Sequence, residues 1–209
     1  MIPWRIRQAI RFAQDTTQEL LLSIVTPKLP LPRDLAAKRV TFIGASVGKA
    51  WRLHLVVPNI RALTAYQFDK SPLVRRAIAA RPDAILIKEC AAYFPADGVN
   101  RDLVARWVQQ IRAGRIEPLL ATVVPVTAQH AARFPGRAEA LWQFNDWLRS
   151  YTAAEDVPLL DLEAALRVSE EDRHLDPRFA ASDGLHLERA TYRQHLDPLI
   201  LPLLLRAFR

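Results

Sequence analysis

The chain has 209 residues, of which 50% are hydrophobic and 24% are charged, and this composition suits one globular domain and excludes a disordered or fibrous protein. The formal net charge of +7 favours an anionic partner, but the arginines are scattered and no nucleic-acid-binding motif accompanies them. We therefore expect a solvated basic surface and no nucleic-acid partner. The single cysteine, Cys90, excludes an intramolecular disulfide and makes a cysteine-based metal cluster implausible.

The first part of the chain predicts an amphipathic helix over residues 3–25, with apolar residues on one side and three arginines interspersed. Three prolines between 27 and 32 then break the pattern. We expect residues 1–32 to form an N-terminal helical extension and residues 33–209 to form the domain. The extension either packs on its own domain, which is the commoner arrangement, or contacts a partner or an anionic membrane surface.

The sequence contains no run of about 18 apolar residues that would predict a membrane span. The apolar run at 20–25 is short, begins late and follows acidic residues, so it does not resemble a signal peptide. We therefore expect a cytoplasmic protein.

Four short apolar runs predict strands of a parallel sheet that is covered on both faces. They lie at residues 39–43, 83–87, 118–124 and 157–162. Helical patterns follow or separate them at 73–80, 101–113, 138–154 and 189–206. This alternation predicts an α/β fold with three layers, in which helices flank a parallel sheet of about five strands.

The first candidate site follows the first predicted strand, where residues 44–48 form a Gly-x-Ser-x-Gly pattern around Ser46. A serine on a strand-to-helix turn lies at the carboxyl edge of the sheet, where substrates of open α/β sheets bind. A phosphate-binding loop is the alternative, because Lys49 follows. That motif needs four residues between its glycines and a Ser or Thr after the lysine, whereas this chain has three residues there and Ala50.

The second candidate site is an Asp-x-x-His pattern, Asp183 and His186, just before the final predicted helix. A serine nucleophile needs a base to take its proton, and the base needs an acceptor that fixes its tautomer. Asp183 and His186 provide both groups from one turn. Taken alone, the pattern is more typical of a surface Asp-Gly turn with a histidine at a helix start.

Together the two patterns resemble the SGNH (GDSL-like) hydrolase family over about residues 39–205. Residues 43–46 are similar to the family's first block, with Ala45 where aspartate is usual, and residues 182–186 match its last block. The resemblance implies a flavodoxin-like fold and a triad in which Ser46 is the nucleophile, His186 the base and Asp183 its partner. It implies no cofactor and no metal.

The family usually has two further oxyanion donors, a glycine in its second block and an asparagine in its third. In this chain residues 66–71 contain no glycine, and Ala92 stands near the position of the asparagine. Candidate replacements are the backbone N–H groups of Ser46 and Gly48 and the side chain of Lys88.

Three other residues near the predicted carboxyl edge are candidates for substrate binding. Glu89 is suited to a polar substrate group or to pairing with Lys88 or Lys70. Trp51 and Tyr93 are aromatic residues near the predicted site. Cys90 is expected to be buried and inert. The histidines outside the Asp-x-x-His pattern are expected to be surface or structural residues.

The sequence thus predicts a serine esterase that hydrolyses or transfers an acyl group of a small-molecule, glycan or lipid ester. The alternative is a catalytically weak or inactive binding module on the same fold, which the missing oxyanion donors favour. A third hypothesis is an esterase that works at a membrane through its N-terminal helix.

Overall fold

The computed structural model describes residues 26–66, 68–95 and 99–209. Its strands are β1 Val40–Gly44, β2 Ile60–Thr64, β3 Ala84–Lys88, β4 Glu117–Ala121 and β5 Leu159–Leu160. Its α-helices are α1 Arg33–Ala36, α2 Ser46–Trp51, α3 Ser71–Ala79, α4 Val99–Ala113, α5 Ala128–Arg133, α6 Arg137–Ala154, α7 Leu162–Leu166, α8 Arg189–Thr191 and α9 Ile200–Ala207.

The five strands form one parallel sheet in the order β2-β1-β3-β4-β5. The central strands β1 and β3 are buried along their whole length, because helices cover both faces of the sheet. This burial explains why their sequences are continuous apolar runs. The predicted three-layer α/β fold is confirmed, and the strand order is that of flavodoxin-like sheets.

Strand β2 is the one that sequence analysis did not predict. It is an edge strand that pairs only with β1, and of its five residues only Ile60 is buried, while Arg61 and Thr64 are exposed. A half-exposed edge strand lacks the apolar run that identifies the inner strands.

The core is divided by the sheet into two clusters. On one face, Phe42 and Leu86 of the sheet pack against Trp51 of α2 and Tyr192 and Leu196 of the C-terminal segment. On the other face, the sheet packs against apolar side chains of three helices, α3, α4 and α6. The helices therefore form a layer on each side, and α2 and α3 lie on opposite faces.

The C-terminal segment corrects the prediction of one helix over residues 189–206. The backbone is α-helical over Arg189–Thr191, forms a π-helix over Tyr192–Leu196 and a 3₁₀-helix over Asp197–Leu199, and is α-helical again over Ile200–Ala207. Pro198 lies in the 3₁₀ turn. Proline has no N–H to donate and crowds the preceding turn, so the regular hydrogen-bond pattern changes around it.

Two predicted strands are shorter in the structure. The run at 118–124 pairs as β4 only as far as Ala121, and the run at 157–162 contributes only the two residues of β5. Residues 122–127 form a loop before α5, whereas α7 begins directly after Asp161. Thr127 and Asp161 accept hydrogen bonds from backbone N–H groups as the N-caps of α5 and α7.

The predicted helix over residues 3–25 lies outside the described residues. Of the remainder of the predicted extension, the Leu29 N–H donates to the Val56 carbonyl at 2.8 Å, and Leu29 and Leu31 pack against the core. Among the residues that the structure describes, no helix combines the length and apolar character needed to cross a membrane.

Candidate active site

Ser46 is the first residue of α2 and lies two positions beyond Gly44, the last residue of β1. Strand β1 lies between β2 and β3 in the sheet. The connection from β1 to β2 runs through α2 on one face of the sheet, and the connection from β2 to β3 runs through α3 on the other face. Open α/β sheets bind their ligands at the carboxyl edge beside such a reversal. Ser46 is partly exposed there.

Three backbone N–H groups at the start of α2 lack an acceptor within the helix. The first helical hydrogen bond runs from the Lys49 N–H to the Ala45 carbonyl at 2.9 Å, so the N–H groups of Ser46, Val47 and Gly48 precede it. A Cβ on Gly48 would lie 3.1 Å from the Phe42 ring. The glycine therefore lets the first turn of α2 approach β1 closely.

Asp183 and His186 form the hydrogen bond that the triad requires. His186 Nδ1 lies 2.5 Å from Asp183 Oδ2, and Asp183 Oδ1 accepts from the backbone N–H groups of Leu185 and His186 at 2.9 Å each. With Nδ1 held in this way, the other ring nitrogen, Nε2, has no partner among the described residues. Within those residues Ser46 and His186 share no hydrogen bond, and catalytic contacts often tighten only when substrate binds.

The hydrogen bonds around Asp183 keep its carboxylate ionised. Partial burial acts to raise the pKa of Asp183, but hydrogen bonds from the His186 backbone and ring and from the Leu185 backbone outweigh burial and hold the pKa at about 2. The carboxylate is therefore available to orient the imidazole throughout the neutral range.

The turn that carries Asp183 rests on the start of α5. Gly184 has a φ of +69°, its carbonyl accepts from the Thr127 N–H at 3.0 Å, and a Cβ added to it would lie 2.2 Å from Thr127 Oγ1. Only glycine combines this left-handed backbone with such a close approach. Because Thr127 lies shortly after the carboxyl end of β4, this contact fixes the turn at the same end of the sheet.

His130 is a buried part of the same support, and its sequence neighbours gave no sign of that role. Its Nδ1 lies 2.9 Å from the Asp183 carbonyl oxygen, and its Nε2 lies 2.9 Å from Arg137 Nη1. An arginine only donates and a carbonyl only accepts, so the neutral tautomer with its proton on Nδ1 satisfies both contacts. Arg137 also donates from Nε to the Phe94 carbonyl at 3.2 Å, which connects the turn to the segment after β3.

The end of β3 carries a buried cluster of charged side chains. Lys70 Nζ donates to Glu89 Oε2 at 2.6 Å, and both side chains are almost completely buried. Lys88 Nζ donates to the Glu89 carbonyl at 2.8 Å. Burial lowers the pKa of Lys88 to about 8. Burial also raises the pKa of Glu89, and the neighbouring Lys70 ammonium offsets part of that rise. Both regions that the resemblance assigns to oxyanion donors thus contribute a side chain to an ion pair.

The two aromatic candidates occupy different environments, and Cys90 is buried as expected. Tyr93 is partly exposed, its ring lies edge-on to Phe68 with centroids 6.1 Å apart, and the Lys70 ammonium lies 5.2 Å from its centroid. Trp51 is fully buried between the sheet and the C-terminal segment, and its Nε1 donates to Asp197 Oδ1 at 2.7 Å. Cys90 is a buried free thiol.

A second buried carboxylate, Glu163, supports the loop that leads to the Asp183 turn. Its Oε1 accepts from Arg173 Nε at 2.5 Å and its Oε2 accepts from Asn145 Nδ2 at 2.6 Å, while the Asn145 side chain also exchanges two hydrogen bonds with the Val123 backbone. Arg173 also forms an ion pair with Asp146 on the surface of α6.

In the part of the chain that the structure describes, no group of His, Cys, Asp and Glu side chains is arranged to hold a metal ion.

Solved structures with this architecture are numerous. A GDSL-like lipase from Bacteroides thetaiotaomicron has a TM-score of 0.68 at 19% identity, over 95% of this chain and 97% of that one. A lipase/acylhydrolase from Enterococcus faecalis has a TM-score of 0.58 at 17% identity, over 78% and 94%. This chain has the fold of the SGNH hydrolases. An acetyl xylan esterase of the same fold has a TM-score of 0.58 at 13% identity, over 78% of this chain and 97% of that one.

No family model matches the sequence, and no curated protein matches it. The likeness to the SGNH hydrolases is therefore a likeness of fold, and the sequence identities to the solved structures named above are only 13–19%. The expectation that the sequence resemblance raised is confirmed for the fold.

Proposed function

We propose that this chain is a serine esterase in which Ser46 attacks the ester carbonyl, His186 takes the serine proton and Asp183 orients the imidazole. The observation that carries the proposal is the 2.5 Å contact between His186 Nδ1 and Asp183 Oδ2, which leaves Nε2 free to act as the base. The SGNH-hydrolase fold supports the same reaction class, because the similar solved structures include lipases and an esterase.

The reaction proceeds in two halves. The Ser46 oxygen bonds to the carbonyl carbon while His186 accepts the serine proton, and His186 then donates that proton to the leaving alcohol as the C–O bond breaks. Water, or an acceptor alcohol in a transferase, attacks the acyl-serine with His186 again as base. The substrate is a small-molecule or lipid ester.

For the oxyanion, we propose the backbone N–H groups of Ser46 and Gly48, which lack helical acceptors. Lys88 is a further candidate, because it follows the position paired with Ile43 of β1 and its ammonium has donors beyond the one given to the Glu89 carbonyl. Glu89 and Lys70 compensate each other's charge, and the Glu89 carbonyl positions the Lys88 ammonium.

The experiment is covalent labelling with a fluorophosphonate probe. Wild type should be labelled, whereas Ser46→Ala should lose labelling completely and His186→Ala should lose nearly all of it. Asp183→Asn should label more slowly, by about 10³- to 10⁴-fold, because the amide holds the wrong tautomer. Ser182→Ala, one residue from Asp183, is the matched control and should label like wild type.

A binding module on the same fold is the second candidate. The ion pair of Lys70 and Glu89, which occupies the two regions expected to supply oxyanion donors, favours it. An absence of labelling in wild-type protein with an ordinary cooperative melting transition would establish this candidate over the esterase.

A further inference from the structure

A pocket of about 320 Å³ opens beside α2, on the face of the sheet that carries the C-terminal helices. One wall is formed by Ala50 and Arg52 at the end of α2, and the other by Leu187, Arg189, Tyr192 and Arg193. The mixture of three arginines with apolar side chains is unusual for a pocket of this size, because like charges repel each other.

Two of the three arginines have no counter-ion among the described residues. Arg193 donates to Asp197 Oδ2 at 2.8 Å and to the Trp51 carbonyl at 2.7 Å, so its charge is compensated. Arg52 Nη1 is buried and hydrogen-bonds to nothing in the described part of the chain, and Arg189 makes no ion pair there. No acidic side chain among the described residues lines the pocket. A buried guanidinium nitrogen without an acceptor costs free energy that a bound anion would recover.

The backbone of Arg52 also departs from the ordinary. Its φ of 48° and ψ of 44° place it in the left-handed region, where α2 ends. Glycine or asparagine is the usual residue at such a position, because a longer side chain is strained there. From this turn the Arg52 side chain contributes to the lining of the pocket.

The lining of the pocket begins one helical turn from Ser46 and one residue from His186. Ala50 is four residues after Ser46 on the same side of α2, and residues so spaced have Cβ atoms about 6 Å apart. Leu187 directly follows His186. A substrate whose carbonyl lies at Ser46 therefore reaches the arginines with a short aliphatic spacer along Ala50 and Leu187.

We infer that this pocket binds an anionic group, a carboxylate or a phosphate, that the ester substrate itself carries a few bonds from its scissile carbonyl. Arg52 and Arg189 bind the anion. Arg193, whose charge Asp197 compensates, links the C-terminal segment to the end of α2 through the Trp51 carbonyl. This inference rests on the proposed function, because it names the class of ester that the same site accepts.

The first experiment compares two p-nitrophenyl esters of six-carbon acids, one with a methyl terminus and one with a carboxylate terminus. Wild type should prefer the carboxylate ester, and Arg52→Gln and Arg189→Gln should each lower that preference about tenfold, the effect of one charge-assisted hydrogen bond. Arg76→Gln is the control, since Arg76 is an exposed arginine of α3 on the opposite face. An equal loss in Arg76→Gln, or no preference in wild type, would overturn the inference.

The second experiment separates this inference from the proposed function. Inorganic phosphate is titrated into full-length Ser46→Ala and followed by NMR, with and without the Arg189→Gln change. Arginine-dependent binding supports the pocket even in a protein that cleaves no ester. Cleavage of both esters at equal rates, with no phosphate binding, would overturn the pocket and leave the esterase standing.

Competition identifies the source of the anion. Phosphate should inhibit cleavage of the carboxylate ester competitively and leave the methyl ester unaffected at the same ionic strength. Phosphate that binds the arginines without competing would assign the pocket to a free anion and overturn the substrate role.

Discussion

His130 Nδ1 donates a hydrogen bond to the Asp183 carbonyl oxygen at 2.9 Å, while the Asp183 carboxylate holds His186 Nδ1 at 2.5 Å. One aspartate therefore connects a buried histidine to the proposed catalytic one. The buried histidine does not reach the reacting atoms, so it is a positioning residue whose removal should shift the turn rather than delete a reacting group.

We predict that His130→Ala lowers the rate of fluorophosphonate labelling about tenfold or more, because small misplacements of a base are costly. His130→Asn should recover part of the rate, since its amide nitrogen can donate to the same carbonyl. His174→Ala is the control, because His174 contacts Asp172 and Trp142 away from the turn. Arg133 Nη2 donates to the same carbonyl at 3.0 Å. Unchanged labelling in His130→Ala would therefore show that Arg133 and Thr127 hold the turn without the histidine.

Gly184→Ala should be among the more damaging single-methyl changes in the chain. The added Cβ meets Thr127 Oγ1 at 2.2 Å on a left-handed backbone, so we expect a loss of about 2–4 kcal/mol in the free energy of unfolding. Gly136→Ala is a matched control, with φ at +79° and nothing within 4 Å of the new Cβ, and it should cost only about 1 kcal/mol. Urea denaturation measures both, and equal losses would mean that the turn moves away freely.

Lys88 should make stability depend on pH in the alkaline range. Burial depresses its pKa to about 8 in the folded chain, against about 10.4 when unfolded. Between these values the unfolded state binds more protons, so the free energy of unfolding should rise with pH, by up to about 3 kcal/mol.

Lys88→Met should abolish this rise between pH 8 and 10, whereas Lys49→Met, on the exposed side of α2, should retain it. The comparison stops at pH 10 because burial raises the pKa of Tyr192 to about 12, and ionisation of tyrosines then acts in the opposite direction. Denaturant curves at four pH values are sufficient. A rise that persists in Lys88→Met would locate its source elsewhere.

Glu163→Gln tests the buried network under the loop before the turn. The change leaves Arg173, Arg149 and Asn145 facing a neutral side chain. Because Arg173 keeps its ion pair with Asp146 and Arg149 keeps that with Asp161, we expect a loss of about 1.5–3 kcal/mol, the contribution of a charge-assisted hydrogen bond. Asp146→Asn removes a partner of the same Arg173 at the surface and should cost at most about 1 kcal/mol. Thermal unfolding of the two variants gives the comparison, and similar melting temperatures would contradict the assigned burial effect.

The sequence predicted what short-range patterns encode. Apolar runs identified the inner strands, and the two short motifs identified Ser46, Asp183 and His186 as candidates. Strand β2 was not predicted, because an edge strand with Arg61 and Thr64 exposed has no apolar run. Only its pairing with β1 in the folded chain identifies it.

The support of the site was not predictable in this way. His130 and Asp183 are 53 positions apart, and Lys70 and Glu89 are 19 apart, so only the tertiary fold brings each pair together. For Glu89 there was a partial signal, because its place after a predicted strand led us to expect pairing with Lys88 or Lys70, and the structure pairs it with Lys70. The contact between His130 and Asp183 had no comparable signal.

Cys90, buried directly after Glu89 and the only thiol in the chain, gives the candidate site an internal chemical reporter. A thiol reagent can modify it only while the surrounding structure opens, so the modification rate measures the frequency of local opening at the end of β3. Occupancy of the site by an ester analogue would slow that rate, and the measurement needs no substitution in the chain.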